Sequence, residues 1–319
     1  MYFMKYIIIT ALYFIAGAMI IAGLLLYVAP IFIGHRNAVF NDNASSLTAS
    51  MTSEMPRREV PITQQSSSSV GTTFEDSFDA TYVVREMGSM NISNNRNWWV
   101  SSGGYFYSEN GVGRTSMGAL FPMDPWRVAY ALANPVDTDG GYYPQNIFRL
   151  VSRQVWNNFT QEAYVRIARI NMSASPNRNA SNGILFFNRY QDAYNLYYAG
   201  IRVDGAAVIK KKLHGTYYTL AYKPLYQTDT AYDRDANPNV LPLHRWIGLR
   251  SEVRTDPETQ AVTIKLFVDM RGIGDWVLAA EAIDDGRMYG GETIAQPGYA
   301  GMRTDFMDAE FSRYSIVEE

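Results

Sequence analysis

The composition of this 319-residue chain excludes several classes of protein before any motif is considered. It contains no cysteine, which rules out disulfides, thiolate metal ligands and a cysteine nucleophile. Its formal net charge of -3 provides no global positive field, so we expect no nucleic-acid partner. Hydrophobic residues make up 47% of the chain, enough for a core, and its 23 tyrosines and 6 tryptophans favour β structure and sugar-binding or interface surfaces.

The chain begins with an apolar segment that is long enough to cross a membrane. Residues 6–33 contain no charged side chain, and about 20 helical residues span the hydrocarbon core of a bilayer. A cleavable signal peptide has a shorter apolar core of about 7–15 residues. We therefore predict one uncleaved transmembrane α-helix in an anchor at residues 1–36, with residues 6–33 in contact with the membrane. Cleavage of this segment is the alternative.

The orientation of this anchor follows from weaker features. The flanking charges are nearly balanced, with Lys5 before the apolar segment and His35 and Arg36 after it. A Ser-rich segment follows, and Asn-x-Ser/Thr triplets, which are glycosylation acceptors outside the cell, recur along the chain. These triplets begin at Asn43, Asn91, Asn158, Asn171 and Asn179. We predict a single-pass membrane protein whose C-terminal domain is extracytoplasmic.

The segment that follows the anchor is rich in Ser, Thr and Gln and poor in large apolar residues. Such a composition cannot bury enough surface to offset the conformational entropy of an ordered chain. We predict residues 37–73 as a flexible, disordered linker and residues 74–319 as the folded domain.

Short apolar and aromatic runs, punctuated by Gly, Asp, Asn and Pro, fill this domain and are typical of an all-β fold. Residues 247–254 alternate between apolar and charged side chains, and residues 262–268 repeat the alternation. The sequence RTDPETQ between them predicts a hairpin turn. Two segments break the β pattern, residues 124–133 and residues 144–156, and each is predicted as a short helix or an irregular loop.

Three motifs mark the order of the predicted strands. They are FEDSF at residues 74–78, WIGLRSEV at residues 246–253 with a hairpin partner LFVD, and GYAGMRTD at residues 298–305. Their order resembles the concanavalin A-like lectin/glucanase superfamily in its laminin-G-like jelly-roll form. The resemblance covers residues 74–317 and implies a two-sheet antiparallel jelly-roll β-sandwich. It also implies that ligands bind on the concave face of the sandwich or at its rim.

Two enzyme classes share this fold, and the sequence lacks a defining motif of each. The glucanases carry a Glu-x-Asp-x-x-Glu run, whose alternation aims two carboxylates at one glycosidic bond, and no such run occurs here. The segment LRSEVR at residues 249–254 resembles a motif of the polysaccharide lyases, which implies that Arg250 would neutralise a uronate carboxylate of the substrate. Their Gln-x-His partner is missing from this sequence. Enzyme activity stays open, and these absences weigh against it.

Two acidic loops are candidates for a structural calcium ion. Asp137 and Asp139 form one pair, and Asp233 and Asp235 form the other. Both pairs place oxygen ligands at alternate positions, as a hard cation requires, but neither completes an EF-hand loop. We expect no required cofactor, and a polar turn without metal is the alternative at both loops.

The lysine run at residues 210–212 cannot serve one surface as a block. Strand alternation places Lys210 and Lys212 on one face and Lys211 on the other, beside Ile209 and Leu213. Because that second face is apolar, we expect Lys211 to lie near the end of its strand, with its ammonium group in water.

Several outward-facing positions of the predicted strands combine Arg, Lys and Tyr. If their strands were neighbours, they would form a basic, aromatic surface suited to carbohydrate and in particular to an anionic polysaccharide. The candidate binding residues are Arg166, Tyr198, Arg202, Lys210, Lys212, Arg250 and Glu252. The alternative is an ordinary solvated sheet face whose lysines discourage edge pairing.

Three functions are therefore compatible with the sequence. The first is a membrane-anchored, lectin-like domain that binds carbohydrate or a cell-surface polymer, in adhesion or envelope interaction. The second is a polysaccharide lyase or glycoside hydrolase of the same fold. The third is a structural or protein-interaction subunit of a surface assembly.

Overall fold

The computed structural model describes residues 73–318. The predicted anchor at residues 1–36 and nearly all of the predicted linker lie outside the described residues. Within residues 73–318, no helix is both long enough and apolar enough to cross a bilayer. The single-pass topology and the extracytoplasmic placement of the domain therefore stay predictions.

Strands dominate the described chain, as predicted. One α-helix, α1 (Pro125–Ala133), and two short 3-10 segments, Met90–Ile92 and Pro144–Asn146, interrupt them. In chain order the strands are β1 (Thr73–Asp76), β2 (Tyr82–Arg85), β3 (Trp98–Ser102), β4 (Tyr105–Glu109), β5 (Val112–Thr115), β6 (Ile147–Trp156), β7 (Phe159–Ile170), β8 (Gly183–Asp192), β9 (Asn195–Arg202), β10 (Ala206–Leu213), β11 (Thr216–Pro224), β12 (Ile247–Thr255), β13 (Val262–Asp269), β14 (Val277–Asp284), β15 (Gly298–Asp305) and β16 (Met307–Glu318).

The strands form two antiparallel sheets. Sheet A has nine strands in the order β14-β13-β12-β7-β16-β5-β4-β2, with β1 also paired to β16. Sheet B has seven strands in the order β11-β10-β9-β8-β15-β6-β3. The predicted all-β, two-sheet antiparallel sandwich is therefore confirmed, and it is the architecture that the resemblance to the concanavalin A-like superfamily implies.

One apolar core fills the space between the two sheets. On β12, the inward residues Ile247, Leu249 and Val253 are fully buried, while Arg250 and Glu252 are partly exposed. The same alternation holds on β13, as predicted. Since side chains alternate across a pleated strand, each sheet also presents an outer face whose residues can be identified from the core.

The two segments that broke the β pattern have different outcomes. Residues 124–133 contain α1, which begins after Asp124, whose carboxylate accepts a hydrogen bond from the Trp126 amide at 2.8 Å. For residues 144–156 the prediction of a helix or loop was wrong except at the short 3-10 segment Pro144–Asn146. The rest of this segment, residues 147–156, is β6, which pairs with both β3 and β15. Sheet pairing on both sides overrides the local preference of this segment.

The turn between β12 and β13 forms as predicted and is pH-sensitive. Asp256 accepts hydrogen bonds from the amide and hydroxyl of Thr259 and from the amide of Glu258, at 2.8, 2.9 and 3.0 Å. These hydrogen bonds hold the pKa of the Asp256 carboxyl below its ordinary value, and the bonds from Thr259 have the largest effect. A carboxyl whose pKa is lowered by folding contributes stability above its unfolded pKa, and that stability is lost as the pH falls through the folded pKa.

We therefore expect Asp256→Asn to flatten the acid side of the stability curve. The melting temperature of the wild type should fall more steeply than that of the variant as the pH decreases below about 4, near the ordinary carboxyl pKa. Thermal unfolding between pH 2 and 6 measures both slopes. Equal slopes would show that this carboxyl does not contribute to acid sensitivity.

Candidate functional site

The predicted binding residues divide between the outer faces of the two sheets. Four of them, Tyr198, Arg202, Lys210 and Lys212, lie on β9 and β10 of sheet B. The other three, Arg166, Arg250 and Glu252, lie on β7 and β12 of sheet A. The strands of the two groups are not neighbours in one sheet, so a single surface containing all of these residues is excluded.

The outer face of sheet B is sheltered rather than fully solvated. A second apolar cluster lies on it and includes Leu185, Phe187 and Val208, which are at most 3% exposed. Met90 and Trp99 pack against this cluster from the β2–β3 connection and from β3. A sheet face that already buries apolar side chains is more enclosed than the ordinary solvated face that was the alternative.

The lysines of this face do not protect a sheet edge. β10 lies between β9 and β11, with Lys210 opposite Tyr198 on one side and opposite Thr219 on the other. Turns lie on either side of β10, and Gly205 and Gly215 have positive φ there. The role in discouraging edge pairing is therefore excluded for Lys210 and Lys212.

Two stacked tyrosines form the centre of the face, and cations lie around them. The rings of Tyr198 and Tyr217 are 6.0 Å apart and inclined by 24°. The ammonium group of Lys212 lies 4.7 Å from the Tyr217 ring centroid, and that of Lys210 lies 5.8 Å from it. These distances are within the range of cation–π attraction. We call Tyr198, Lys210, Lys212, Tyr217 and Arg303 the basic–aromatic face.

Arg303 completes this face and was not among the predicted residues. Its guanidinium lies 5.3 Å from the Tyr198 ring centroid, and its Nε donates to both carboxylate oxygens of Asp305 at 2.9 and 3.0 Å. Arg149 stands directly opposite it on β6, and both arginines are at least nine-tenths buried. The alternation of Arg303 and Asp305 in GYAGMRTD is the sequence signal that could have identified this pair.

Positive charge predominates among these groups. Arg149, Arg303, Lys210 and Lys212 are basic side chains, whereas Asp305 is the carboxylate that Arg303 contacts. Burial, followed by the proximity of Tyr198, raises the pKa of the neighbouring Tyr190 well above its ordinary value. Tyr198, Lys212 and Arg303 are at most 6% exposed, whereas Lys210 and Tyr217 are partly exposed, so the face presents one cation and one aromatic ring at its surface.

Arg202 lies on the same sheet but has its own carboxylate partner. Its guanidinium pairs with Asp204 at 2.7 Å and donates to the carbonyl of Ala180 at 2.9 Å. It also lies 5.1 Å from the ring of Tyr222. These contacts favour a role in fixing the end of β9, and a ligand role for Arg202 stays a prediction.

On sheet A, the predicted residues take part in ion pairs. Arg250 contacts Glu162 at 2.7 Å, and Arg166 contacts Glu310. Glu252 stands opposite Lys265 in the β12–β13 ladder. Because Arg250 is already neutralised by Glu162, it lacks the free guanidinium that a uronate-binding lyase arginine would need.

Lys211 lies near the end of β10 as expected, but the expectation that its ammonium group reaches water was wrong. Its ammonium group is completely buried and lies 2.7 Å from the carboxylate of Asp284, which is also completely buried. The carbonyl of Gly291 accepts a second hydrogen bond at 3.0 Å. Tyr197 donates to the same Asp284 carboxylate at 2.6 Å. A partner on β14 satisfies the charge within the protein, so the side chain does not need to reach water.

The acidic loops are built into hydrogen-bond networks. Asp137 accepts from Ser175 at 2.6 Å, and Asp139 accepts from Ser173 at 2.6 Å. Asp235 pairs with Arg178 at 2.7 Å, and Asp233 accepts from two amides of its own loop. Within residues 73–318, no group of three or more His, Asp or Glu side chains is arranged to hold a metal ion. Calcium at either loop stays a prediction.

Comparisons with known proteins give distant likenesses in structure. No family model matches the chain, and no curated protein does. A carbohydrate-binding module, CBM66 from Bacillus subtilis, aligns over 70% of this chain and 98% of its own, with 14% identity and a TM-score of 0.43. A β-glucanase from Bacillus licheniformis aligns over 78% and 99%, with 12% identity and a TM-score of 0.40.

The basic lectin of winged bean is a third similar structure. It aligns over 76% of this chain and 96% of its own, with 9% identity and a TM-score of 0.39. Likenesses of this size assign no ligand and no catalytic residue to this chain. Its function has to follow from the geometry of its own side chains.

Proposed function

We propose that this protein binds carbohydrate through the basic–aromatic face of sheet B, with acidic polysaccharide as the preferred class. The stacked pair of Tyr198 and Tyr217, surrounded by Lys210, Lys212 and Arg303, is the observation that supports it. The predicted anchor would display this face at a membrane surface, in adhesion or envelope interaction.

The chemistry of the face suits such a ligand in two ways. Aromatic rings carry a negative face, which attracts the polarised C–H groups of a pyranose ring. Lysine and arginine form charge-assisted hydrogen bonds to carboxylate or sulfate groups, and these are stronger than neutral ones. Among the residues of the face, Lys210 is partly exposed and Lys212 is 6% exposed. Lys210 is therefore the residue that an incoming anion would meet first.

Replacing Lys210 with alanine is expected to weaken binding of the full chain to acidic polysaccharides about tenfold. One hydrogen bond to a charged group contributes about 1.5–3 kcal/mol, and 1.4 kcal/mol corresponds to a factor of ten. Tyr217→Ala should weaken binding comparably, because it removes one ring of the stack. Affinity electrophoresis in gels containing alginate, pectate or heparin measures the retardation of each variant.

Lys265→Ala is the matched control, since this lysine is exposed on sheet A and its pairing with Glu281 spans 3.7 Å. It should bind as the wild type does. Unchanged retardation of both Lys210→Ala and Tyr217→Ala would rule out the basic–aromatic face as the binding site. Chain-length analysis of the recovered polysaccharide tests the enzyme alternative in the same experiment, because a lyase or hydrolase would shorten it.

A further inference from the structure

The outer face of sheet A carries three aromatic side chains that do not belong to the core. Tyr164 projects from β7, Trp246 immediately precedes β12, and Trp276 immediately precedes β14. All three are partly exposed, and none belongs to either buried apolar cluster. We call Tyr164, Trp246 and Trp276 the aromatic platform.

Trp276 lies against the strand surface because of a glycine. A Cβ atom at Gly248 would come within 2.6 Å of the Trp276 ring, so the missing side chain makes room for the indole. Gly248 pairs with Tyr164 across the sheet, and the Tyr164 and Trp276 rings are 6.0 Å apart at 50°. The indole is thus fixed between two strands while part of its surface stays accessible.

Arginines hold the two indoles in place. The guanidinium of Arg250 lies 4.2 Å from the Trp276 ring centroid, and that of Arg166 lies 4.5 Å from the Trp246 ring centroid. Each of these cation–π contacts favours the observed orientation of its ring. The rings are therefore pre-organised, which lowers the entropy cost when a ligand stacks on them.

The arginines that stack on the two indoles are paired with carboxylates, whereas Arg313, a third arginine, lies 5.7 Å from the Tyr164 ring centroid. Arg250 pairs with Glu162, and Arg166 shares Glu310 with Arg114. An anionic ligand would have to break these pairs to gain the guanidinium of Arg250 or Arg166. At the two indoles, partly exposed rings are combined with arginines that already have carboxylate partners, which is complementary to a ligand that has flat apolar faces, hydroxyl groups and no charge.

The arrangement of the platform suits an extended chain of sugars. The outward residues Glu162, Tyr164 and Arg166 follow one another along β7, about 6.6 Å apart in an extended strand. Tyr164 contacts Trp276 and Arg166 contacts Trp246, so the platform follows the direction of this strand. We propose that the aromatic platform is a second carbohydrate-binding surface, which takes neutral polysaccharide and is independent of the basic–aromatic face.

Alanine replacement of Trp276 in the full chain tests this proposal. We expect at least a fivefold loss of affinity in gels containing a soluble neutral polymer, for which mixed-linkage β-glucan, xylan and hydroxyethyl cellulose are the probes. Trp246→Ala should act in the same direction, and Trp276→Phe should retain most of the affinity. Because these rings lie outside the core, the melting temperature should change little, which separates lost binding from lost folding.

The two surfaces are distinguished by crossing the variants and the polymers. Trp276→Ala should leave binding to acidic polysaccharide unchanged, and Tyr217→Ala should leave binding to neutral polysaccharide unchanged. The proposal is overturned if the wild type binds none of the neutral probes, or if Trp276→Ala binds them as tightly. Concentration-dependent self-association of the wild type that Trp276→Ala abolishes would instead assign the platform to a protein interface and also overturn it.

Discussion

Replacing Lys211 with methionine is expected to lower the free energy of unfolding by about 3–5 kcal/mol, because it leaves the buried carboxylate of Asp284 without its cation. For a domain of this size, that loss corresponds to a decrease of about 6–20 °C in melting temperature. Asp284→Asn should cost a similar amount, since it leaves the completely buried ammonium group unpaired. Thermal unfolding followed by near-ultraviolet circular dichroism measures both variants.

The double variant Lys211→Met/Asp284→Leu separates the pair from its surroundings. Replacing both charges by apolar side chains removes the desolvation penalty, so the double variant should be more stable than either single variant. Lys265→Met is the matched control on the solvated face of sheet A and should change stability by less than about 0.5 kcal/mol. Single-variant losses below about 1 kcal/mol would contradict the assignment of a dry, essential ion pair.

The alternation of side chains along each strand could be predicted from the sequence. The rule that separated Lys210 and Lys212 from Lys211 is local, because it depends only on the pleat of one strand. It placed the outward residues of β12 and β13 correctly for the same reason. The two-sheet architecture followed from many short runs of this kind and from the motifs that resemble a known superfamily.

The assignment of strands to sheets could not be predicted in this way, since it depends on contacts between distant parts of the chain. Arg166 and Arg250 have the same outward alternation as Lys210, yet they belong to the other sheet. The partner of Lys211 lies on β14, more than 70 residues further along the chain. Arg303 likewise joins the tyrosine stack only because β15 pairs with β8.

This division of the predicted residues changes what the molecule can bind. A single surface would have combined lysines, arginines and tyrosines in one site for one acidic polymer. The proposed sites instead lie on two different sheets. Arg149, Arg303, Lys210 and Lys212 lie on or beside the basic–aromatic face with the carboxylate of Asp305, whereas the arginines on the two indoles of the aromatic platform pair with Glu162 and Glu310. Ligand charge, rather than ring content, therefore distinguishes the two proposed sites.

Removing Trp98 should destabilise the sandwich as strongly as breaking the buried ion pair. Its ring is fully buried, 4.9 Å from the Tyr314 ring and 5.4 Å from the Phe74 ring, and its indole donates to Asp76 at 2.7 Å. Phe74 and Asp76 belong to β1, so one side chain holds the first strand of sheet A to the core. Trp98→Ala is expected to cost about 3–5 kcal/mol, as measured by thermal unfolding.

Two comparisons make this prediction specific. Trp98→Phe keeps an aromatic ring but removes the part-buried indole hydrogen bond to Asp76, which keeps its bond from Tyr82, so its cost should be about 0.5–1.5 kcal/mol, the usual net contribution of one hydrogen bond. Trp99→Ala, at the adjacent position, removes a partly exposed ring from the outer face of sheet B and should cost less than Trp98→Ala. A loss for Trp98→Ala that is no larger than about 1 kcal/mol, or smaller than that for Trp99→Ala, would contradict the central place of Trp98 in the core. The expected difference arises because successive side chains of a strand point to opposite faces of the sheet. Trp98 therefore points into the core beside β1, whereas Trp99 lies on the outer face of sheet B, which carries the proposed binding site.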